Sequence, residues 1–199
     1  MVNDVSEWTE MYQQKLTTPE EAVKLVKDGD WVEYGMTTSQ PVLLDAALAA
    51  RKEELKDIKV RETMSLFPRK VVECDPMLHT LTVPNWHMSG YDRKACAQGA
   101  MNFSPMCFRN QPSIYRDLLD VDVAMITVAS MDGHGYFNFG LCAAATEAMV
   151  QKAKKVIVEV NPNMPRCLGG LGEAIHISDV DAIVEAPGIA IPTIPFVAG

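Results

Sequence analysis

The chain has 199 residues, 48% of them hydrophobic, enough for one substantial core or for one large lobe of something bigger. Its formal net charge of −8, with 18 scattered Lys and Arg against 26 acids, argues against nucleic acid or an anionic membrane as partner. No apolar run approaches the roughly 18 residues of a spanning helix, and the polar, acidic start MVNDVSEWTEMYQQ is unlike a signal peptide. Cys74, Cys96, Cys107, Cys142 and Cys167 are odd in number and widely spaced. They form neither a disulfide framework nor a zinc knuckle, and they fit reduced thiols and a cytoplasmic location.

In chain order, residues 1–17 are expected to lead in as a helix. LTTPEEAVKLVKDGD then carries a capping box: Thr18 as N-cap, Pro19 at the first helical position, Glu21 three residues after the cap. Ala22, Val23, Leu25 and Val26 give that helix its apolar face, and Gly29 ends it. WVEY (Trp31 to Tyr34) predicts a short strand, Gly35 opens a loop and Pro41 starts a second helix, PVLLDAALAARKEEL. IKVRETM and LHTLTVPNW predict further strands, Pro84 breaking the second at its end. YDRKACAQGA predicts a short helix stopping at Gly99. VDVAMITVAS is a near-continuous apolar strand, of the kind covered on both faces in a parallel sheet. A helix, LCAAATEAMVQKAKK, a buried strand, VIVEV, and a last strand within HISDVDAIVEA follow. The alternation predicts an α/β fold, an open, mostly parallel sheet flanked by helices and built from right-handed βαβ units. Ligands on such sheets sit at the carboxyl ends of strands, so the loops after Tyr34, Met64, Val83, Val128 and Val160 are the places for a site.

Local motifs by themselves carry little chemistry. Asp132-Gly133-His134-Gly135 reads as a tight turn. His79, His87 and His176 form no ligand motif with His134, so no metal is expected. Ser130, Asp132 and His134 alternate, but no Gly-x-Ser-x-Gly elbow accompanies them. LGGLGEA, residues 168–174, fits neither phosphate-loop pattern. Glu159 is the odd acid, a carboxylate near a buried strand end, suited to hydrogen-bonding a neighbouring loop or to catalysis.

Five ordered segments go further: QPVLLDAAL, YDRKACAQGAMNFSPMCFRNQPSIY, VDVAMITVASMDGHGYFNFG, VIVEVNPNMPR and HISDVDAIVE. Together they resemble the N-terminal half of the acetyl-CoA hydrolase/transferase family, class I CoA-transferases that include 4-hydroxybutyrate and butyryl-CoA:acetate CoA-transferases. The resemblance implies that residues 1–199 are one CoA-transferase N-terminal domain, a NagB/RpiA-like lobe. Residues 185–199 would be a tail toward a C-terminal domain absent from this sequence.

The resemblance also implies ping-pong chemistry. A glutamate carboxylate attacks the acyl-CoA thioester, an acyl-glutamyl anhydride and then a glutamyl-CoA thioester form, and the incoming acid takes over the CoA. In the family that glutamate lies in the C-terminal half, in a His-Thr-Glu-Met type segment, so no catalytic residue is expected in this chain and the chain alone is expected to be inactive. RETM around Glu62 looks similar but sits in the wrong half.

What this lobe would supply is the wall of the acyl and carboxylate pocket. Gly35, Met36, Thr37, Thr38, Ser39, Gln40 and Pro41 would hold a carboxylate on backbone N–H groups and polar side chains near a helix start. Met64, Ser65, Asn85 and His87 would line the acyl side, with Ser130 and Asp132 in the turn beside the cleft. Coenzyme A and acyl-CoA enter as substrates rather than permanently bound cofactors. The partners implied are a C-terminal CoA-transferase half, covalent or separate, a short-chain acyl-CoA, a carboxylic acid, and further copies of the chain in a homo-oligomer. An acyl-CoA hydrolase lobe and a non-catalytic small-molecule-binding or assembly subunit are the alternative readings.

Overall fold

The computed structural model describes residues 5–170 and 172–192. Helix α1 (Val5–Lys15) leads into α2 (Pro19–Ala22), where Thr18 Oγ1 accepts the Glu21 N–H at 3.3 Å as the sequence predicts. That helix closes in a 3-10 turn at Leu25; Gly29, at φ 83°, serves the turn into β1 (Trp31–Tyr34). A second 3-10 turn, Thr37–Ser39, precedes α3 (Leu43–Ala50), so Pro41 stands two residues ahead of the helix and not at its start. Next come β2 (Ile58–Arg61) and α4 (Lys70–Cys74).

The stretch expected as one strand around Pro84 is two: β3 (Leu81–Thr82) pairs with β2, and β4 (Pro84–Asn85) pairs with a later strand in a separate small sheet. Proline has no N–H to continue the ladder, and the chain changes sheet there. Helix α5 (Gly90–Ala97), closed by Ser89 and Asp92 in a capping box, leads to β5 (Asn102–Phe103), the partner of β4. Then follow α6 (Gln111–Asp117), β6 (Val123–Val128), β7 (Tyr136–Asn138), α7 (Thr146–Lys152), β8 (Lys155–Val160), β9 (Ala174–His176) and β10 (Ala182–Glu185). Helix α7 starts five residues later than its sequence predicts, because Ala144 takes a left-handed φ of 43°. His176 ends β9, so HISDVDAIVEA spans two elements. Residues 1–4 of the expected leading helix, Leu171 and residues 193–199 of the expected tail lie outside the described residues.

The main sheet has the order β10-β8-β6-β1-β2-β3 with every neighbour parallel, the α/β arrangement expected from the alternation. Its strands are covered on both faces, and their side chains divide accordingly. Val32, Tyr34, Ile58, Val60, Val123, Met125 and Ile157 pack with α2 to α5, where Leu44, Leu48 and Val71 complete one core. Ala124, Ile126, Val128, Val156, Val158 and Ile183 turn the other way, toward Tyr115, Met149, Phe137 and Ile175. Double coverage is why β6 and β8 read as near-continuous apolar runs, interrupted at Thr127 and Glu159. From β1 the chain proceeds outward through β2 and β3, then returns to lay β6 on the other side of β1. The order reverses between β1 and β6, and the loops leaving those two strands diverge around a crevice.

Candidate functional site

The loop that leaves β1 is bound tightly to both neighbours. Gly35 is buried, and a Cβ there would run into the Ser39 carbonyl, so the loop closes on itself only with glycine at that place. Thr37 holds a left-handed φ of 51°, costly for a β-branched residue, and its N–H reaches the Thr63 carbonyl at 3.3 Å. Ser39 is 1% exposed and its hydroxyl lies 3.1 Å from the Phe139 and 3.0 Å from the Cys142 carbonyl, tying this loop to the segment beyond β7. Thr127 Oγ1, on β6, donates to the Gln40 carbonyl at 3.0 Å. Met36 and Thr38 are half-buried, Pro41 buried.

On the β2 side three site residues meet at one carboxyl. Glu62 is 2% exposed; its Oε1 accepts from Ser65 Oγ at 2.8 Å and Asn85 Nδ2 at 3.3 Å, and its Oε2 from Gln40 Nε2 at 3.3 Å. Burial pushes the Glu62 carboxyl up to about 8 against the opposing Arg69 guanidinium, with Asp92 adding to the rise. The two loops are laced by backbone bonds as well: Glu62 N–H to Pro84, Trp86 N–H to Glu62, and Met64 N–H to His87 at 2.7 Å. Met64 is half-buried at φ 53°, and His87 is exposed. Ser65 N–H is taken by Asp92 Oδ2 at 2.9 Å.

Glu159 answers its own question. Fully buried at the end of β8, its Oε2 accepts the N–H groups of Val42, Leu43 and Leu44 at 2.9–3.1 Å, and its Oε1 accepts Val42 again at 3.0 Å. These are the unpaired donors of the first turn of α3. The helix start that follows the loop expected to hold a substrate carboxylate is therefore occupied by the chain's own carboxylate. Burial raises the Glu159 carboxyl, and the three N–H bonds and Arg69 oppose that rise. Arg69 is wholly buried, donates to Pro41 and Phe67 carbonyls, and also opposes the burial-driven rise of Asp45.

Between these loops lies a small crevice lined by Thr38, Gln40, Thr127, Glu159 and Asn161 on one side and Ile189 to Ile191 on the other. Among the described residues, three buried side-chain atoms have no hydrogen-bond partner: Thr38 Oγ1, Gln40 Oε1 and Asp92 Oδ1. Two of the three belong to this crevice. Such orphans mark positions that a ligand or water completes.

The turn after β6 stands apart from this network. Asp132 accepts the N–H groups of His134 and Tyr136 at 2.9 and 3.0 Å and pairs with Arg166 at 2.6 Å; Ser130 is exposed. Burial alone would raise Asp132, but those N–H groups and Arg166 hold it below the usual carboxylate range. Sequence reasoning missed Thr127, Asn161, Arg69 and Asp92. Arg69, next to Lys70 and just after Pro68, carried no signal that set it apart; Thr127 and Asn161 flank the ends of two predicted strands. No group of three or more His, Cys, Asp or Glu side chains is placed to hold a metal ion among the described residues, and none of their helices is long and apolar enough to cross a membrane.

Comparison with known proteins adds the chemistry that the geometry lacks. A butyryl-CoA:acetate CoA-transferase of Anaerostipes caccae is 49% identical over 92% of this chain and 41% of its own length. A probable butyrate:acetyl-CoA coenzyme A-transferase of Syntrophomonas wolfei is 43% identical over 93% of this chain and 41% of its own. RipA from Yersinia pestis superposes with a TM-score of 0.85 at 29% identity, over 96% of this chain and 46% of that one. The chain thus spans about two fifths of the length of the curated relatives it matches. The acetyl-CoA hydrolase/transferase N-terminal domain matches residues 1–195, and the chain belongs to that family.

Proposed function

We propose that this chain is the N-terminal lobe of a cytoplasmic CoA-transferase moving CoA between a short-chain acyl-CoA and a carboxylic acid such as acetate. The observation that carries the reading is the 49% identity, over nearly the whole chain, with a protein described as a butyryl-CoA:acetate CoA-transferase. The small strand-end crevice supports it through the unmet hydrogen-bonding atoms of Thr38 and Gln40 that border it. Binding energy collected on the CoA portion would be spent at the reacting carbonyl, and backbone N–H groups would steady its oxyanion.

The reaction goes through a glutamyl-CoA thioester whose glutamate lies outside this chain. Two facts support a nucleophile supplied from elsewhere. Glu62 is 2% exposed and bound by three side chains, and Glu159 is fully buried against a helix start, so neither carboxylate is free to attack a thioester. Exposed apolar side chains also border the site. Phe103, 55% exposed, sits in register with Asn85, and Leu141, 54% exposed, precedes the Cys142 carbonyl held by Ser39. A second lobe of the same enzyme, and further copies in an oligomer, would cover such surfaces.

Exchange of acyl groups between butyryl-CoA and labelled acetate tests this. The chain alone is expected to be silent, and addition of a C-terminal CoA-transferase half is expected to start exchange. Exchange by the chain alone would place the nucleophile within these residues and overturn the two-lobe mechanism. Release of free CoA without formation of labelled acetyl-CoA would replace transfer by hydrolysis.

A further inference from the structure

Three site side chains, Gln40 from the loop after β1, Ser65 from the loop that carries Glu62 and Asn85 from β4, converge on Glu62, a carboxyl that none of the proposed chemical steps uses. The amide of Gln40 stands between that carboxyl and the crevice. Its Nε2 donates to Glu62 and to the Thr63 carbonyl, both at 3.3 Å, while its Oε1 is buried without a partner. A buried amide oxygen left unmet is unfavourable, and a carboxyl O–H is the neighbouring group able to meet it.

We propose that Glu62 is a positioning residue whose proton decides which end of the Gln40 amide faces the crevice, and so whether the crevice takes a carboxylate. With the proton on Glu62, its O–H donates to Gln40 Oε1 and the Gln40 NH2 turns outward as donor to a substrate carboxylate oxygen. With Glu62 ionised, its oxygens hold the NH2, and the crevice is faced by the amide oxygen, which repels a carboxylate. The Thr63 carbonyl that Gln40 gives up on turning keeps the Thr37 N–H. The switch rests on the proposed carboxylate site for the identity of its ligand, and on nothing else from that reading.

Charges from several elements act on Glu62. Burial raises its carboxyl, Arg69 ahead of α4 opposes this, Asp92 on α5 and Asp45 on α3 add to it, and Ser65 opposes it, for a balance at about 8. Tyr34 and Tyr91, whose phenols burial raises, also feel its charge and stay neutral there. The proton is thus present below that balance and lost as pH rises through it, so carboxylate binding is favoured on the low side.

The test is a pH titration of the chain by NMR, following the Glu62 carboxyl carbon and the Gln40 side-chain NH2. Both are expected to move with one midpoint, and the Gln40 signals are expected to stay still in Glu62→Gln. Gln40→Met provides the reverse control, Glu62 still titrating with nothing to turn. Acetate is expected to perturb the Gln40 NH2 about two units below the midpoint and to bind at least about tenfold more weakly two units above it. Gln40 signals indifferent to the titration of Glu62 overturn the proposal. Coincident titration without any response to acetate upholds the switch and overturns the carboxylate reading. In the complete two-lobed enzyme, KM for acetate should climb above the midpoint with kcat level, and Glu62→Gln should flatten that climb; a climb shared by both forms overturns the switch.

Discussion

Glu159 illustrates how much one residue's meaning depends on what folds against it. In sequence it is an acid inside VIVEV, out of place in a buried strand. In the structure it is the N-terminal cap of α3, supplied from a strand more than a hundred residues away. Sequence alone exposed the anomaly but left two roles open, because the partner N–H groups belong to a loop that only the β1–β6–β8 pairing brings near. Glu62 was harder: RETM has no local feature that distinguishes a hub from a solvated acid, and two of its three side-chain partners, Gln40 and Asn85, come from more than twenty residues away. The Glu159 role has a measurable size. Glu159→Ala strands three N–H groups in a buried place and is expected to cost about 2–4 kcal/mol. Glu159→Gln keeps an acceptor oxygen and removes a charge that burial disfavours, so about 1 kcal/mol or less is expected. Urea unfolding midpoints of the two variants check this, and equal losses would reject the cap.

At the scale of elements, length decided what could be read. β1, β6, β8 and α5 were legible because a run of apolar residues or a stop glycine marks them within the sequence. β3, β4 and β5 have two residues each, too few for any period, and they exist only through long-range pairing. The short helices α4 and α6 and the antiparallel pair β7 and β9 passed unread for the same reason. The segment after β10 belongs to this scale too. Asn161 Nδ2 donates to the Ile189 carbonyl at 2.9 Å and Asn163 Nδ2 to the Gly188 carbonyl at 2.7 Å, Gly188 turning at φ 84°. Two amides on the loop after β8 thus hold the outgoing chain across the crevice that Gln40 and Thr38 line. Replacing both asparagines by alanine should speed hydrogen exchange across residues 186–192 by about thirtyfold, on the basis of roughly 1 kcal/mol for each of the two lost bonds, while exchange in β6 stays unchanged. Unaltered exchange in that segment would mean that packing of Ile189 and Ile191, and not the amides, holds it.

For the molecule as a whole, alternation of elements predicted an open parallel sheet, and the sheet has that form. Strand order was not legible, since nothing in VDVAMITVAS says that it pairs with WVEY rather than with a strand beyond it. That order matters for function because it puts the reversal between β1 and β6, and the candidate site follows from it. The site is bordered by apolar side chains that a finished surface would bury. Phe103 lies opposite Asn85 in the small sheet, Leu141 beside the loop tied to Ser39, and both are more than half exposed. This chain spans 41% of the length of the two butyrate-type CoA-transferases compared with it. If the remainder closes over the crevice, these two side chains carry part of the contact. Phe103→Ser with Leu141→Ser should then weaken association with a C-terminal lobe by about tenfold or more, as for central apolar contacts. The thermal midpoint of this chain should hold within a few degrees, because neither side chain packs in its cores. Titration calorimetry and a melting curve on the same preparation separate the outcomes: unchanged affinity would remove this border from the interface, and a collapsed midpoint would show that the pair supports the lobe itself.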